Sequence, residues 1–502
     1  MSIYLKNEKR SVPDYWSLTT PIAYAPVSST LVNLLYYGDK VLNTIFRWNH
    51  DTNCLGGDLY DLMQKGIFSF ILEVVNKNPD IKAIPIRFAT KRMVIINDTD
   101  LMRHILVRKG TKRGSNYDRL SEFFGYGIFT SIIKDRWSYQ RNIVIHLLSQ
   151  KNLCNSEQHL YDKTIQIIET IKGEIVDLPR LLSKIGLILF CDLILGIDVS
   201  DIGGDIINKD SDLILLSDND DLSEWNIDED FWQEKEIFTL SEDIDETLNY
   251  INGAIEPITI KFSPRYRKFI YHKNRVHNWM REVIRRIRRQ HEPNNIISND
   301  ILVNEFINGD KITDEMVELL IPVILGGHET TARLMLGIIH STIINPLIID
   351  KVRNEDSILL GDDHQYINNV VNEGLRLFPP VWLISRESSD DINYKGIIIP
   401  RETPMLLSPL LIQRDKQIWG DNAEEFCPER FDIISDSTRF FPFGIGPEAC
   451  PGKHFARLEA IIVIQALFQH YNVEIIGEHT LTPYSMGTFR LTKDLPVKIT
   501  SG

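Results

Sequence analysis

Cysteine is scarce in this chain, and its distribution excludes two kinds of stabilising site. The five cysteines among 502 residues are Cys54, Cys154, Cys191, Cys427 and Cys450. No two of them form a C-x-x-C pair, so neither a zinc site nor a disulfide framework is indicated. A low, scattered cysteine content is typical of proteins in a reducing compartment. We therefore expect an intracellular protein.

A signal peptide and a clear membrane-spanning segment are also missing. The basic residues Lys6, Lys9 and Arg10 are followed by polar residues rather than an apolar core, which is unlike a secretory leader. The uncharged run 15–38 contains two prolines and many hydroxyl residues, so it would make a poor spanning helix. We expect residues 1–55 to be an N-terminal segment that contacts a membrane peripherally or not at all, in a protein that is cytoplasmic or peripherally membrane-associated.

Positive charge is in deficit, and the formal net charge is −14 at pH 7. This balance argues against nonspecific nucleic-acid binding. The acidic stretch at about 201–246 is predicted to be a solvated insertion. The basic block 261–289 reads as a solvated helix face because few aromatics interleave with its arginines. No G-x-G-x-x-G unit joins a strand to a helix, so no dinucleotide-binding or flavin-like domain is expected.

The remaining sequence is that of an ordinary globular chain, with 43% apolar and 25% charged residues. Apolar residues recur at helical spacing from Asp58 to Lys77. Residues 84–88 and 93–96 read as a hairpin around a polar turn, and Asp98 is placed to cap the short helix that follows. Residues 155–198 read as helical throughout.

A long helix is predicted from Thr313, which is followed by two acids that suit a first helical turn. Its pattern continues to about Asn345, and Pro346 ends it. About 32 residues at 1.5 Å each would give about 48 Å, enough to cross a whole domain.

The middle of this helix carries two adjacent glycines, Gly326 and Gly327, followed by His328, Glu329 and Thr330. Two glycines in a helix interior cost about 1 kcal/mol each relative to alanine. Such a cost indicates close approach of another body or a local kink. One interpretation is a helix crossing at the glycines with the histidine and the acid facing solvent. The other is a functional gap bordered by an acid and a hydroxyl.

A short loop rich in glycine and proline surrounds Cys450, and a helix begins just after it at Lys453. Glycine permits positive φ and proline fixes φ, so this loop is expected to be tight and preformed. The helix N-terminus should favour a thiolate. Cys450 is therefore either a metal ligand or nucleophile, or a buried cysteine in an ordinary turn.

Two further side-chain pairs lie at helical spacing. Trp137 and Arg141 share one helix face, either as a cation–π surface pair or as part of a site. Glu373 and Arg376 face each other among apolar neighbours, which indicates a buried ion pair that needs further partners. Arg430, in the run P-E-R-F, is the candidate partner.

These motifs resemble those of the cytochrome P450 family. W-x-x-x-R, G-x-E-T-T, E-x-x-R, P-E-R-F and F-x-x-G-x-x-x-C-x-G occur in the family's order over about residues 55–500. The resemblance implies the cytochrome P450 fold, which is mainly α with small β-sheets, and a β-rich lobe near the N-terminus. It also implies one haem domain over residues 56–502 that includes the acidic insertion.

The resemblance further implies roles for individual residues, with haem b as the cofactor. Cys450 would ligate the iron. The other loop positions that match are Phe443, Gly446 and Gly452, and the haem-propionate partners would be Trp137, Arg141 and Arg386. Gly326 and Gly327 would leave room for O₂, and Thr330 and Glu329 would deliver protons. Glu373, Arg376 and Arg430 would form a structural cluster. Arg386 lies in a predicted strand, and its alternative is a surface position on a sheet edge.

The loop departs from the family pattern at Glu448, where arginine or another propionate partner is usual. A carboxylate beside a haem propionate would repel it unless it points outward or is protonated. We therefore expect weaker haem retention than in relatives that carry arginine at this position.

The implied activity is monooxygenation, in which one atom of O₂ enters a small apolar organic substrate. The stretch 125–129 resembles members that oxidise fatty acids, so a fatty-acid- or lipid-like substrate is expected. Electrons would come from a separate NAD(P)H-dependent reductase or a ferredoxin. Two alternatives stay open. One is a haem-thiolate enzyme that rearranges or dehydrates a peroxide, against which the Glu329–Thr330 pair argues. The other is a non-catalytic haem-binding protein.

Overall fold

The structure is a computed structural model that describes residues 58–502 with gaps. The residues outside the description within that span are 89–90, 109, 115–116, 132, 150–152, 154–155, 198–263, 292–305, 307–310, 356–364, 434–438, 478, 480–482, 487 and 493. The N-terminal segment 1–55 and the acidic insertion 201–246 therefore lie outside the described residues.

Helices make up most of the described chain. They are α1 (Asp58–Lys77), α2 (Thr99–Val107), α3 (Tyr117–Phe124), α4 (Lys134–Leu147), α5 (Glu157–Glu169), α6 (Leu178–Leu195), α7 (Pro264–His291), α8 (Asp314–Ile343), α9 (Pro346–Arg353), α10 (Gln365–Leu377), α11 (Pro409–Ile412), α12 (Lys416–Trp419), α13 (Arg430–Ile433) and α14 (Lys453–His470). The predicted class, mainly α with small β-sheets, is confirmed.

The strands form small sheets at the periphery of the helical body. They are β1 (Ala83–Phe88), β2 (Lys91–Ile96), β3 (Thr111–Arg113), β4 (Ile175–Asp177), β5 (Ile384–Ser388), β6 (Ile392–Tyr394), β7 (Ile397–Ile399), β8 (Met405–Leu407), β9 (Tyr471–Ile475), β10 (Tyr484–Met486), β11 (Thr488–Arg490) and β12 (Pro496–Ser501). A five-stranded sheet has the order β1-β2-β8-β5-β3, and a three-stranded sheet has the order β4-β12-β9. β6–β7 and β10–β11 are two-stranded.

The five-stranded sheet contains the strands expected near the N-terminus, β1, β2 and β3, and adds two strands from much later in the chain. β2 pairs with β8 in parallel, in the register Val94 opposite Met405, and β3 pairs antiparallel with β5. The sheet therefore joins two stretches of chain about 300 residues apart. The predicted hairpin is confirmed, since β1 and β2 pair antiparallel from Ala83 opposite Ile96 to Phe88 opposite Lys91.

Local capping signals predict two helix starts correctly. The Asp98 carboxylate accepts a hydrogen bond from the Leu101 amide at 2.8 Å and caps α2. The Thr313 hydroxyl accepts from the Met316 amide at 3.3 Å and caps α8. A side-chain oxygen that satisfies an otherwise unpaired amide stabilises a helix start, which explains both boundaries.

One predicted helix is broken in the structure. Residues 155–198 form α5 and α6 with strand β4 between them. α5 ends at Glu169, and Gly173, with a φ of +91° that no helix residue adopts, lies in the turn between α5 and β4. β4 is held by antiparallel pairing with β12, Val176 lying opposite Val497. The partner strand lies over 300 residues later, so local periodicity could not indicate the pairing.

The central helix α8 positions the rest of the helical body. It is apolar on nearly all sides and packs against α6, α10, α14 and α7. A helix buried all round lies inside a large core rather than at a surface. Within the described part of the chain, no single helix is long and apolar enough to cross a membrane. Only α8 and α9 taken together, bent by 107°, meet that length and composition requirement.

Candidate functional site

The loop before α14 is shaped by backbone conformations that require glycine. Gly444 and Gly446 have φ of +70° and +78°, and a short 3₁₀ turn covers Gly446–Glu448. A Cβ at Gly446 would lie 2.6 Å from the Leu106 carbonyl oxygen of α2, so a larger residue would push the loop off that helix. The Cys450 amide closes the loop by donating to the Phe443 carbonyl at 2.8 Å. Gly452 then forms the N-cap of α14.

The Cys450 side chain is accessible, yet the pKa of its thiol lies above the usual value because surrounding protein atoms remove much of its hydration. The Gly452 backbone and the positive charges of Arg141 and Lys453 only partly offset this effect. The start of α14 alone therefore does not bring the pKa of this thiol below its usual value. A bound metal would stabilise the thiolate.

Arg141 joins helix α4 to the loop that contains Cys450, residues 443–452, which we call the cysteine loop. Its Nη2 donates to the Ala449 carbonyl at 2.5 Å, and its guanidinium lies 5.3 Å from the Trp137 ring centroid. The cation–π pair therefore exists, but it points at the loop rather than into solvent. Trp137 Nε1 is buried and has no hydrogen-bond partner among the residues that the structure describes. A buried donor without an acceptor is costly, so this atom is a candidate contact for an acidic group of a ligand.

Arg386 also reaches this loop, and it does so from the interior of a sheet. β5 lies between β8 and β3, so the edge-strand alternative is wrong. Arg386 Nη2 lies 3.1 Å from Glu448 Oε2. A second arginine, Arg113 of β3, donates through Nε to the same oxygen at 3.1 Å. The sequence analysis missed Arg113, which carries no motif and becomes informative only through its position opposite Arg386.

The middle of α8 contains a short accessible stretch. Every residue from Leu319 to Thr342 is buried except Gly326, Gly327 and Thr330, which are partly accessible. The Thr330 hydroxyl donates to the Gly326 carbonyl at 2.7 Å. Accessibility confined to one face of this otherwise buried stretch of α8 indicates that the face borders an internal space.

The two glycines of α8 face different neighbours. A Cβ at Gly326 would lie 3.2 Å from Cζ of Phe129, a tight contact with a ring from the loop before α4. A Cβ at Gly327 would overlap the Phe190 ring of α6. The predicted close approach is therefore present at both positions. At Gly327 the neighbour is a packed helix, which agrees with the helix-crossing alternative for that residue.

Glu329 is fully inside the protein, contrary to the alternative in which it faces solvent. Its Oε1 lies 2.9 Å from Arg333 Nη2 and 2.8 Å from Nη2 of Arg490 on β11. The two guanidinium groups outweigh the effect of burial and hold the pKa of this carboxyl at about 2. Its Oε2 is buried without a hydrogen-bond partner in the described structure. Arg490 was missed because it is a lone arginine 161 positions away.

Glu459 of α14 is a second buried carboxyl close to the same part of α8. Burial raises its pKa well above the usual value, and the neighbouring Thr331 hydroxyl offsets only part of that rise. Both of its oxygens are buried, and the Thr331 hydroxyl is the hydrogen-bonding neighbour found for them among the described residues. The Thr331 hydroxyl itself donates to the Gly327 carbonyl at 2.9 Å. Glu459 carries no signal in the sequence, since a single acid on a helix is ordinarily solvated.

The structure brings Glu373, Arg376 and Arg430 together away from these residues. Arg376 makes a bidentate ion pair with Glu373. Its Nε lies 2.7 Å from Oε2 and its Nη2 lies 2.8 Å from Oε1. Its Nη1 donates to the Gln413 and Ala423 carbonyls. Arg430 Nε lies 3.5 Å from Glu373. All three are buried, and they tie α10 to the segment that precedes the cysteine loop.

A haem fits the donor set at the loop. The accessible Cys450 thiol offers an iron ligand, while Trp137 Nε1, Arg141, Arg386 and Arg113 offer a donor and positive charge for two propionates. Helix α14 also connects this loop to α8, because it packs directly against α8 and its Phe455 packs edge-on against Phe190 of α6, with centroids 5.3 Å apart. The two halves of the site are thus parts of one packed unit.

Comparison with known proteins agrees with this geometry. The profile of the family described as Cytochrome P450 matches residues 61–499. The chain is 39% identical over 459 residues to "Cytochrome P450-like protein L532" of Acanthamoeba polyphaga mimivirus, covering 89% of this chain and 90% of that protein.

Other relatives match over shorter stretches. "Cytokinin hydroxylase" of Arabidopsis thaliana is 34% identical over 176 residues, covering 33% of this chain and 34% of that protein. "Bifunctional cytochrome P450/NADPH--P450 reductase" of Bacillus cereus is 32% identical over 229 residues, covering 42% and 21%. The fold, the cysteine loop and the family match over nearly the whole described chain lead to one conclusion: this chain belongs to the cytochrome P450 family of haem-dependent monooxygenases.

Proposed function

We propose that this enzyme inserts one oxygen atom of O₂ into an apolar, lipid-like substrate, with electrons supplied by a separate NAD(P)H-dependent reductase or a ferredoxin. The observation that carries the proposal is the accessible face of α8 formed by Gly326, Gly327 and Thr330. The Thr330 hydroxyl lies at this face, which the Phe129 ring also borders.

Cys450 is the proposed iron ligand, on a loop whose glycines fix its position. Trp137, Arg141 and Arg386 are the proposed propionate partners, and Arg113 joins them. When haem is bound, the Cys450 thiolate would donate electron density to its iron, which favours O–O cleavage. The protein's own contribution is to hold the ligand loop against α2 and α4.

The proposed proton relay uses Thr330 and one oxygen of Glu329. The Thr330 hydroxyl is anchored on the Gly326 carbonyl, so its oxygen is held at a fixed place on the accessible face. Glu329 Oε1 is occupied by two arginines, while Oε2 lacks a partner in the described structure. A carboxyl with a pKa of about 2 is ionised at neutral pH. Oε2 can therefore accept a hydrogen bond from a water molecule and orient that water for proton transfer.

Part of the wall that faces this stretch of α8 is aromatic and comes from Phe129, in the loop before α4. Phe129 lies against Gly326 and packs edge-on against Phe124, with centroids 5.5 Å apart. The loop is held by Glu318, whose Oε2 accepts from the Tyr126 amide at 3.1 Å and from Arg136 at 2.7 Å. Pro322 lacks an amide, so it leaves the Glu318 carbonyl free of its helical bond, and Gly127 packs closely against that carbonyl. An aromatic wall supports the proposal of an apolar substrate.

Substitution of Thr330 tests the relay, and Thr331 provides a matched control. Both threonines donate to a carbonyl four residues earlier, but only Thr330 is on the accessible face. With a P450 reductase, NADPH and a fatty acid that is turned over, we expect Thr330→Ala to divert oxygen from product into hydrogen peroxide. Thr330→Ser and Thr331→Ala should keep the wild-type ratio of product to peroxide. Equal ratios in Thr330→Ala and Thr331→Ala would contradict the relay.

The same preparation separates the proposed activity from peroxide rearrangement. A monooxygenase needs both reductase and O₂, so product should fall to background when either is withheld. Full conversion of a fatty-acid hydroperoxide without reductant would instead establish the rearrangement activity.

Substrate class is tested by binding. Saturated fatty acids of increasing length should shift the Soret band of the ferric protein, with affinity rising with chain length because each added methylene buries more apolar surface. Phe129→Ala should change the affinity order without changing the unliganded spectrum. A shift with small polar molecules and none with fatty acids would contradict a lipid-like substrate.

A further inference from the structure

Glu448 makes an unusual set of contacts for a carboxylate in this loop. One oxygen, Oε2, accepts a hydrogen bond from Arg113 Nε at 3.1 Å. The same oxygen forms an ion pair with Arg386 Nη2, also at 3.1 Å. The three side chains are partly to largely buried, with exposures of 24% for Glu448, 17% for Arg113 and 10% for Arg386. The carboxylate therefore points at two cations rather than outward into solvent.

The two arginines are direct neighbours across a strand pair. Arg113 of β3 lies opposite Arg386 of β5 in the antiparallel register. Like charges directly opposite each other destabilise a strand pair. Each arginine is also bonded to the backbone: Arg113 Nη1 donates to the Ile128 carbonyl at 2.5 Å and Arg386 Nη1 donates to the Ser385 carbonyl at 2.9 Å. Glu448 supplies the negative charge between them.

Arg113, Arg386, Arg141 and Glu448 form a cluster whose charges sum to zero only when haem is bound. Arg113, Arg386 and Arg141 carry three positive charges, and Glu448 carries one negative charge. The two propionates of haem would bring two more negative charges and make the set neutral. Glu448 therefore matters most when no propionate is present, because the arginines then have no other carboxylate among the contacts described for this cluster.

We propose that Glu448 is an internal substitute for a haem propionate. Its carboxylate neutralises Arg113 and Arg386 in the haem-free protein and so keeps the cysteine loop docked on the β3–β5 strand pair. When haem binds, its propionate shares the same two arginines with Glu448. The residue thus stabilises the empty site and weakens haem retention. This inference rests on haem as the cofactor and not on the proposed substrate or reaction.

The opposite effects on the two states make the proposal testable with Glu448→Gln. The amide keeps the size and one acceptor oxygen but removes the charge. We expect the haem-free variant to melt at a lower temperature than the haem-free wild type. We also expect haem to leave the loaded variant about two- to fivefold more slowly, the range that a partly exposed ion pair supports. The loss rate is measured by transfer of haem from the loaded protein to excess apomyoglobin.

Two further variants give the result its specificity. Arg113→Gln should speed haem loss, because Glu448 then faces the propionates with one cation fewer, and the double variant Arg113→Gln/Glu448→Gln should return towards the wild-type rate. Glu424→Gln removes a carboxylate that pairs with the buried Arg414 in a different cluster. It should lower the melting temperature of the loaded and haem-free proteins alike and leave the transfer rate unchanged.

The transfer rate decides the outcome even if a haem-free variant does not stay folded. Slower loss from Glu448→Gln, with rescue in the double variant, supports the substitute role. Faster loss from Glu448→Gln would show that the carboxylate positions the arginines for haem, and an unchanged rate would show that it does not share them with a propionate. Either result would overturn the proposal.

Discussion

Arg490 and Glu329 form a buried ion pair that fastens the strand β11 to the central helix α8, with Nη2 and Oε1 2.8 Å apart. Removing one member of a buried pair leaves an uncompensated charge, which costs about 3–5 kcal/mol. Arg333 remains beside Glu329, so we expect Arg490→Met to lower the free energy of unfolding by about 2–3 kcal/mol. The measurement is denaturant unfolding of the haem-loaded protein.

The control for this variant is an arginine in an exposed pair. Arg180 pairs with Asp177 while most of its side chain is in water. Arg180→Met should change the unfolding free energy by no more than about 0.5 kcal/mol. Equal effects of the two substitutions would contradict a buried role for Arg490.

Glu329 should make the protein acid-sensitive. Its pKa in the folded protein is about 2, below its value in the unfolded chain. The unfolded state therefore takes up protons first, so the stability that Glu329 contributes is complete above about pH 5 and is lost as the pH falls towards about 2. Glu329→Gln should be less stable than wild type at pH 7, and the difference should shrink by pH 3. Thermal melts at both pH values measure this, and a constant difference would contradict it.

Glu459 should have the opposite pH dependence. Its folded pKa is raised by burial, so the folded state holds the proton more tightly than the unfolded state. The contribution to stability is greatest below the unfolded pKa of about 4.3 and declines as the pH rises above it. Glu459→Gln mimics the neutral carboxyl at every pH. We expect it to melt close to wild type at pH 5 and above wild type at pH 8. A variant that melts below wild type at pH 8 would show that the carboxyl is ionised in the fold.

The crossing of α8 and α6 should tolerate no added volume at Gly327. A Cβ there would overlap the Phe190 ring, and forcing an extra methyl group into a packed core costs about 1–3 kcal/mol. Gly327→Ala should therefore lower the melting temperature, and adding Phe190→Leu should recover part of the loss. Gly326→Ala meets only the tip of Phe129 and is expected to cost less. If the double variant is no more stable than Gly327→Ala alone, the overlap is not the cause.

Features that depend on neighbouring residues could be predicted from the sequence. The caps at Asp98 and Thr313, the β1–β2 hairpin and the length of α8 all follow from local side-chain chemistry and periodicity. The mainly α class with small sheets follows from the same signals and from the motif order. The contacts between Glu373 and its two arginines are also consistent with their apolar surroundings in the sequence.

Features that depend on distant pairing could not be predicted. β4 exists because β12 pairs with it, and Arg113 matters because Arg386 lies opposite it and Glu448 lies between them. Arg490 reaches Glu329 only after the C-terminal hairpin is in place. The direction of the Cys450 pKa shift was also missed, since the start of α14 is visible in the sequence while the protein atoms that desolvate the thiol are not.

The most direct test of the account is the absorption spectrum of the reduced protein with carbon monoxide. If Cys450 provides a thiolate to the haem iron, the wild type should show a strongly red-shifted Soret band. Cys450→Ala should lose that band, while Cys427→Ala, which alters a cysteine near the Glu373 cluster, should keep it. A wild-type band at the position of histidine-ligated haem, or no haem band in protein produced with ample haem, would contradict the assignment of Cys450 as the iron ligand.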